Sequence, residues 1–314
     1  MRVMLTVAAV LKETLQTTLQ FVSWYLAQGA DEIILCFDDP QDPAIEVLKG
    51  IDRVRCVPCT PKFWASVGMT MTRRFTRRQN RAIQSFYYAQ TDGWFLHVDG
   101  DELVYLKGRT LAEELAHVPD DVRGLRILPA ENIQTVEAEG ATHFRLPMSR
   151  RAVRRIYSER PGAMQKRQGL SGHLEGKAVT RAGLEGVKMR QHSVHLAGGE
   201  PVVDLTLGPE DDAYLLHFFD QGYEIWRSKL EWRLSSSGYR GLVDAALREM
   251  LAGPTPETAL RAFYDHMHLF DDTRLHQLKK NGAHFSLDLN RNALVQRNFS
   301  DLSDLSDRPA SYAA

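Results

Sequence analysis

Two short apolar runs in this chain stop dead at acids, and that pattern most limits what it can fold into. Trp94 to Val98 follows Gly93 and runs straight into Asp99, Asp101 and Glu102. A continuous run of this length behind a turn residue reads as a buried strand of a parallel sheet. Glu32 to Phe37 repeats the design and closes on Asp38 and Asp39. Acids at the carboxyl ends of such strands lie where open α/β sheets take their ligands.

The rest of the first hundred residues fits that frame. Met4 to Val10 is β-like, and Leu15, Leu19, Val22 and Leu26 then fall on one helical stripe closed by Gly29. A short helix over 43–49 and a strand at Val54 to Val57 follow, so strand and helix alternate as in a doubly wound, mostly parallel sheet. Residues 61–72 show no period and read as a loop, and 75–88 reads as a helix. Thr110 with Glu113 three residues on forms a capping box for a helix over 110–117. Leu125 to Leu128, Lys177 to Thr180 and Val187 to Leu196 read as strands, whereas 129–172 carries no assignable pattern. Residues 211–232 have aromatic and aliphatic residues at helical intervals, and 242–252 and 257–270 are amphipathic helices. These readings imply an α/β catalytic domain over 1–240 and a helical extension over 241–314. Its last polar stretch, Asp301 to Asp307 and onward, is expected to fray.

Composition removes several function classes. Lys plus Arg is 39 against 40 for Asp plus Glu, a formal charge of −1, so nothing in the bulk charge draws the chain to nucleic acid. Three cysteines, Cys36, Cys56 and Cys59, do not make a disulfide framework and suit a reducing compartment. The Cys56-x-x-Cys59 pair lacks a second pair or spaced histidines, so buried small side chains are favoured over zinc. With no run of about 20 apolar residues and no cleavage site after the first strand, a cytoplasmic protein is expected.

The acids define the chemistry. Asp99 and Asp101 are two residues apart in an extended segment, so both can reach one ion, and Gly100 lets backbone approach closely. Hard oxygen ligands suit Mg²⁺ or Mn²⁺, which would bridge a diphosphate and offset its charge as a leaving group. Glu13, Asp38 and Asp39 at the ends of the first two strands suit hydrogen bonds to a nucleoside. Neither a Gly-x-Gly-x-x-Gly nor a Walker loop is present. Arg73, Arg74, Arg77, Arg78 and Arg81 form a basic ridge facing either an anion or solvent. A second cluster, Arg150, Arg151, Arg154 and Arg155, leaves peripheral membrane contact open but shows no apolar face to go with it. His192, His195, His217 and Lys229 could supply a third metal ligand or a phosphate contact.

The opening Leu11-Lys12-Glu13 through Trp24-Tyr25-Leu26 to Ile33, the Arg78-Gln79-Asn80 helix, Trp94 to Glu102, Gly176-Lys177, and His217 with Lys229 together resemble the family 2-like glycosyltransferases of the GT-A fold. The resemblance covers about residues 1 to 235 and is most specific at Asp99-Gly-Asp-Glu102. It implies a nucleotide-sugar donor, commonly a UDP-sugar, held through Mn²⁺ or Mg²⁺, and a hydroxyl acceptor on a glycan. It implies that Asp99 and Asp101 serve metal and donor, that Glu13, Asp38 and Asp39 contact the nucleoside, and that His217 and Lys229 lie near the donor phosphates, His217 as a metal ligand. Lys12 stands where relatives carry Asn. An inverting transfer needs a carboxylate base, and Glu131, after a strand at the same sheet edge, is the candidate. A metal-dependent phosphohydrolase or nucleotidyltransferase would use the same acids, and a noncatalytic nucleotide- or glycan-binding protein would keep the same fold.

Overall fold

The computed structural model describes residues 3–136, 140–158, 161–235, 239 and 241–299. They form two compact units. The first comprises the described residues up to Leu128, Glu175–Leu215 and those from Asn290 on; the second comprises Pro129–Leu174 and Leu216–Leu289.

The chain opens with β1 (Leu5–Leu11), α1 (Leu15–Ala27), β2 (Glu32–Phe37), α2 (Ala44–Leu48) and β3 (Val54–Pro58). Then come α3 (Pro61–Ser66), α4 (Phe75–Ala89), β4 (Trp94–His97), β5 (Glu102–Leu106), α5 (Leu111–Ala116) and β6 (Gly124–Ile127). Thr14 starts α1 by accepting from the Thr17 amide, and the helix buries Leu19, Phe21, Val22 and Trp24. Two polar tips fix it to β5: Trp24 Nε1 donates to the Val104 carbonyl at 2.8 Å and Tyr25 Oη to the Glu102 carbonyl at 2.9 Å. The capping box at Thr110 and Glu113 is formed.

The second unit begins with β7 (Pro129–Thr135), β8 (Thr142–Arg145), α6 (Arg150–Ile156) and α7 (Pro161–Gln165). The chain returns to the first unit as β9 (Lys177–Arg181), β10 (Lys188–Met189), β11 (Val194–His195) and β12 (Leu205–Leu207). β13 (Ala213–His217) spans the division between the units, and α8 (Tyr223–Ser228), α9 (Leu230–Ser235), α10 (Leu242–Ala252) and α11 (Pro256–His268) follow. β14 (Leu269–Phe270), α12 (Asp272–Lys280) and β15 (His284–Leu287) complete the second unit. α13 (Arg291–Asn298) belongs to the first, where the Gln16 and Gln20 amides donate to Asn292 Oδ1 at 3.0 and 2.9 Å.

The first unit carries a seven-stranded sheet in the order β12-β6-β9-β4-β1-β2-β3. Its β1, β2, β3 and β4 pair in parallel, as do β6 and β12, but β9 runs antiparallel to both neighbours. The sheet is therefore mixed. Parallel neighbours need a crossover connection, and β9 is reached only after the excursion through 129–174. In the second unit β15, β8 and β7 form an antiparallel run, with β14 parallel to β7.

Several elements differ from the sequence reading. Residues 61–66 are helical, because Thr60 caps the Phe63 amide and Pro61 occupies the first turn; six residues are too few to show a period. Residues 213–217 are a strand, and helix starts only beyond Gly222, whose φ is 101°. A short, mostly apolar run reads equally well as strand or helix. Val187 to Leu196 is two short strands joined by a turn, with the Arg190 amide on the Ser193 carbonyl at 2.9 Å. The helix expected through Phe270 ends at His268, after which the chain pairs with β7. The helices over 242–268 group with 129–174 in the second unit. The tail from Asp301 lies outside the described residues. No described helix is long and apolar enough to cross a membrane.

The approach to β9 depends on one glycine. Gly176 has φ +67°, and a Cβ there would overlap the Ile127 carbonyl oxygen and lie 3.3 Å from Leu128 Cα. Gly176→Ala is expected to cost roughly 2 kcal/mol or more in urea unfolding. Gly108→Ala, with φ +74° but no atom within 4 Å, should cost only about 1 kcal/mol. Equal losses would show that left-handed backbone, not the close approach, decides the cost.

Candidate functional site

In the first unit the strand ends converge as the acids suggested. β4 delivers Asp99, whose Oδ1 accepts from Gln79 Nε2 of α4 at 2.7 Å and whose Oδ2 lies 2.8 Å from Lys177 Nζ of β9. Lys177 also approaches Glu102 Oε2 at 3.2 Å and donates to the Gln191 carbonyl at 2.9 Å. Glu102 Oε2 in turn accepts from the Asp99 amide at 2.7 Å, closing a tight turn through Gly100. The side chains of Lys177 and Glu102 are 1% and 0% exposed, whereas Asp99 keeps 24%. Asp99 is thus the member of the trio that solvent or a ligand can still reach.

The charges set one another. Burial, the largest influence, would raise the Asp99 carboxyl, but the Lys177 ammonium and the neighbouring histidines together hold the group below its ordinary value. Burial would lower Lys177, and Asp99 and Glu102 reverse that, so it stays charged. His97, the last residue of β4 and two positions before Asp99, is pushed down to about 4 by burial and then by Lys177, and remains neutral. His192 offers a ring nitrogen within 4.8 Å of a Glu102 oxygen.

The neighbouring acids take distinct positions. Gly100 packs on Leu11 and Glu13, its hypothetical Cβ lying 3.0 Å from Glu13 Cγ, so Glu13 sits against the Asp99–Asp101 turn. Asp38 is bound in fork geometry by Arg78, with Nη2 to Oδ2 at 3.3 Å, and Arg78 stacks on Trp64 at 4.9 Å. This removes Arg78 from the expected basic ridge: it is 7% exposed and structural. Asp39 is exposed and accepts from the Gln41 amide, a turn contact. Asp101 is half-buried beside Gly100. Cys36 and Cys59 are buried thiols and Cys56 is half-buried.

Asp99 and Asp101 are the carboxylates not fully buried, and each Asp99 oxygen has one protein partner while retaining acceptor capacity. The set fits Mg²⁺ or Mn²⁺. Lys177, Gln79 and Arg78 are the members that sequence reasoning did not assign. A lysine opening a strand directly after a glycine and just before Ala178 and Val179 was the available signal for Lys177, since an unpaired buried ammonium is costly.

In the second unit, Glu131 of β7 is 1% exposed and its carboxylate is fully engaged. It pairs with Arg145 of β8, with Nε at 3.0 Å, and accepts from the Ser171 amide at 2.8 Å and the Gly172 amide at 2.6 Å. Burial would raise it, but Arg145 and then His217 drive it down to about 2. A carboxylate so held takes up a proton poorly, so its geometry suits anchoring the 171–172 turn rather than acting as a base. Arg145, fully buried, also donates to Tyr157 Oη at 2.6 Å, Ser171 Oγ at 2.8 Å and the Met267 carbonyl at 2.8 Å. His217 is buried, with its ring 5.3 Å from that of His173. Lys229 caps the end of α8. Asp220 accepts from Tyr264 Oη at 2.7 Å, and His268 Nδ1 lies 3.8 Å from its other oxygen. His217 and Lys229 thus belong to a different unit from Asp99, Asp101, Glu13, Asp38 and Asp39.

No protein-family profile matches the chain, and no curated protein shows significant similarity to it. Among solved structures it is similar to glucosyl-3-phosphoglycerate synthase from Mycobacterium tuberculosis in complex with Mn²⁺, uridine diphosphate and glucosyl-3-phosphoglycerate. The TM-score is 0.35 at 10% identity, over 76% of this chain and 82% of that one. The same enzyme with Mn²⁺, uridine diphosphate and phosphoglyceric acid gives 0.34 at 11% identity, over 76% and 80%.

Removing the shared cation tests the first cluster. Lys177→Met leaves Asp99 and Glu102 buried side by side, and roughly 3–5 kcal/mol of stability should be lost. Chemical denaturation checks this; a loss under 1 kcal/mol would mean that solvent already screens the pair.

Acid should weaken the second unit. His268 is held neutral at about 3 by burial and then Arg145. The unfolded chain therefore takes up a proton as pH falls through 6.5 while the folded chain does not, and stability drops by up to about 1.4 kcal/mol per pH unit. Glu131 adds a second loss between 4.5 and about 2, since its stabilisation is present above the unfolded value and vanishes as pH falls through the folded one. His268→Gln should lessen the slope of the denaturation profile between pH 6.5 and 4.5, with His97 and His284, both held at about 4, supplying the remainder. An unchanged slope would exclude His268 as its source.

Proposed function

We propose that this protein is a metal-dependent glycosyltransferase that moves a sugar from a nucleoside diphosphate sugar, a UDP-sugar, to a hydroxyl of a glycan or related acceptor in the cytoplasm. One observation carries the reading: Asp99, Asp101 and Glu102 stand at the carboxyl end of β4, with Glu13 after β1 packed against the same turn. Asp38 after the adjacent β2 closes the row. This row supports a reading in which hard metal ligands lie next to acceptors for ribose and base, as a nucleoside diphosphate requires. The resemblance of Asp99-Gly-Asp-Glu102 and its flanking segments supports the sugar.

Each residue has a defined part in this reading. Asp99 and Asp101 hold the cation, which when bound neutralises charge growing on the departing diphosphate. Glu102 fixes the turn by binding the Asp99 amide, and Lys177 keeps both carboxylates ionised in place. Glu13, Asp38 and Asp39 contact the nucleoside. Glu131 enters as a positioning residue for the 171–172 turn. The roles of His217 as a metal ligand and of Lys229 near the phosphates rest on the resemblance alone, and so does the grouping of catalytic residues within 1–240 with a supporting extension over 241–314.

The test is a thermal-shift and calorimetric panel of nucleoside diphosphates with and without Mn²⁺. Uridine diphosphate with Mn²⁺ should stabilise the protein by about 2.7 kcal/mol at a hundredfold excess over Kd. Asp101→Asn should remove the metal-dependent part of the shift and reduce UDP-sugar turnover at least tenfold. No metal-enhanced shift with any diphosphate would overturn the reading. Turnover of a nucleoside triphosphate or phosphodiester instead would reassign the acids to a phosphohydrolase or nucleotidyltransferase.

A further inference from the structure

The second unit carries a basic surface whose charges are unspent. α6 starts at Ser149, whose hydroxyl caps the Ala152 amide, and buries Ala152, Val153 and Ile156. Its remaining positions, Arg150, Arg151, Arg154 and Arg155, are all exposed. α7 packs against α6, and the turn after it adds exposed Lys166 and half-buried Arg167. None of these six cations has an ion-pair partner among the described residues. By contrast Arg123, Arg227, Arg248 and Arg261 hold carboxylates at 2.7 to 3.0 Å. Six neighbouring cations that forgo it leave a field for an external anion.

An apolar opening adjoins these charges. Lys166 and Arg167 line a cavity of about 490 Å³ whose other walls include Met164, Leu170, Phe263 and Met267. These four are buried to within 4% exposure. At its rim Leu242, the first residue of α10, is 73% exposed, the most open large apolar side chain described. α10 packs against α7, and Leu242 reaches over Gly162, whose hypothetical Cβ would lie 3.3 Å from it. A volume of several hundred cubic ångströms suits one flexible apolar chain.

We propose that this face of the second unit docks on an anionic membrane surface, with the six cations meeting acidic headgroups and an acyl chain entering the cavity past Leu242. The pairing of cations with an apolar insertion is what stable peripheral attachment needs, since either alone gives weak, reversible contact. A polyanion such as nucleic acid would answer the charges but leave the apolar cavity and Leu242 without a purpose. The inference does not depend on the donor chemistry.

The experiment is co-sedimentation of the full chain with vesicles of phosphatidylcholine alone and of phosphatidylcholine with about one third phosphatidylglycerol. Binding is expected to the acidic vesicles only and to fall steeply with added salt. Arg154→Ala with Arg155→Ala should weaken it roughly twentyfold, about fivefold per charge. Leu242→Asp, at an exposed position that leaves the fold intact, should weaken it further, and bulk at Gly162→Leu should do the same by closing the cavity mouth. The thermal midpoint of each variant serves as the fold control. Equal binding to both vesicle types, no binding to either, or binding unaffected by Leu242→Asp would overturn the proposal. So would a single-stranded oligonucleotide held more tightly than the acidic vesicles at the same salt.

Discussion

The first unit is organised around one ammonium group. Lys177 Nζ sits between Asp99 and Glu102, almost fully buried, and without it the two carboxylates would repel and one would be pushed toward its protonated form. Its position follows from strand direction. β9 pairs antiparallel to β4 with Leu96 opposite Val179, and continuing that register sets Lys177 against the last residue before Asp99. A parallel strand would enter from the opposite end and leave the acids uncompensated. The irregularity in the sheet is therefore what makes the acid cluster affordable, and Gly176, which no side chain could replace without displacing β6, lets the chain enter there.

The second unit repeats the device with different residues. Glu131 and Arg145 face each other across β7 and β8, and the guanidinium spends its remaining donors on Tyr157, Ser171 and a backbone carbonyl. Buried pairs of this kind contribute little net stability, because desolvation offsets their attraction. Their effect is positional. Each immobilises a turn holding a glycine that packs tightly: Gly100 against Leu11 and Glu13, Gly172 against the His217 ring and Glu131. In both units a buried cation thus fixes backbone rather than a side chain alone.

How much of this was legible in the sequence depends on range. β1, α1, β2 and the Thr110 capping box were readable, because their patterns lie within a few residues and match one period. The acids were readable as strand ends for the same reason. What escaped reading was set by partners far along the chain. Lys177 is 78 residues from Asp99, and Arg145 finds Glu131 only once β7 and β8 pair. Arg78 shared its spacing with four surface arginines, and only Asp38 and Trp64 distinguish it. Ala213–His217 failed differently: a short, mostly apolar run fits both periods, and burial on both faces decided the outcome.

The charge balance of the first cluster bears on what it can hold. Asp99 and Glu102 share one ammonium, which leaves that trio a net −1, and Asp101 and Glu13 lie beside the same turn. A diphosphate brought there alone would meet that charge at short range, where the partly buried setting screens weakly. A divalent cation cancels it and at the same time gives the phosphates a ligand. Asp38 contributes nothing to the excess, because Arg78 neutralises it while leaving carboxylate lone pairs for neutral donors. The row of strand ends thus divides into a part that needs a cation and a part that can accept hydrogen bonds from an uncharged sugar or base. That division of charge along one sheet edge matches a nucleoside diphosphate laid across it.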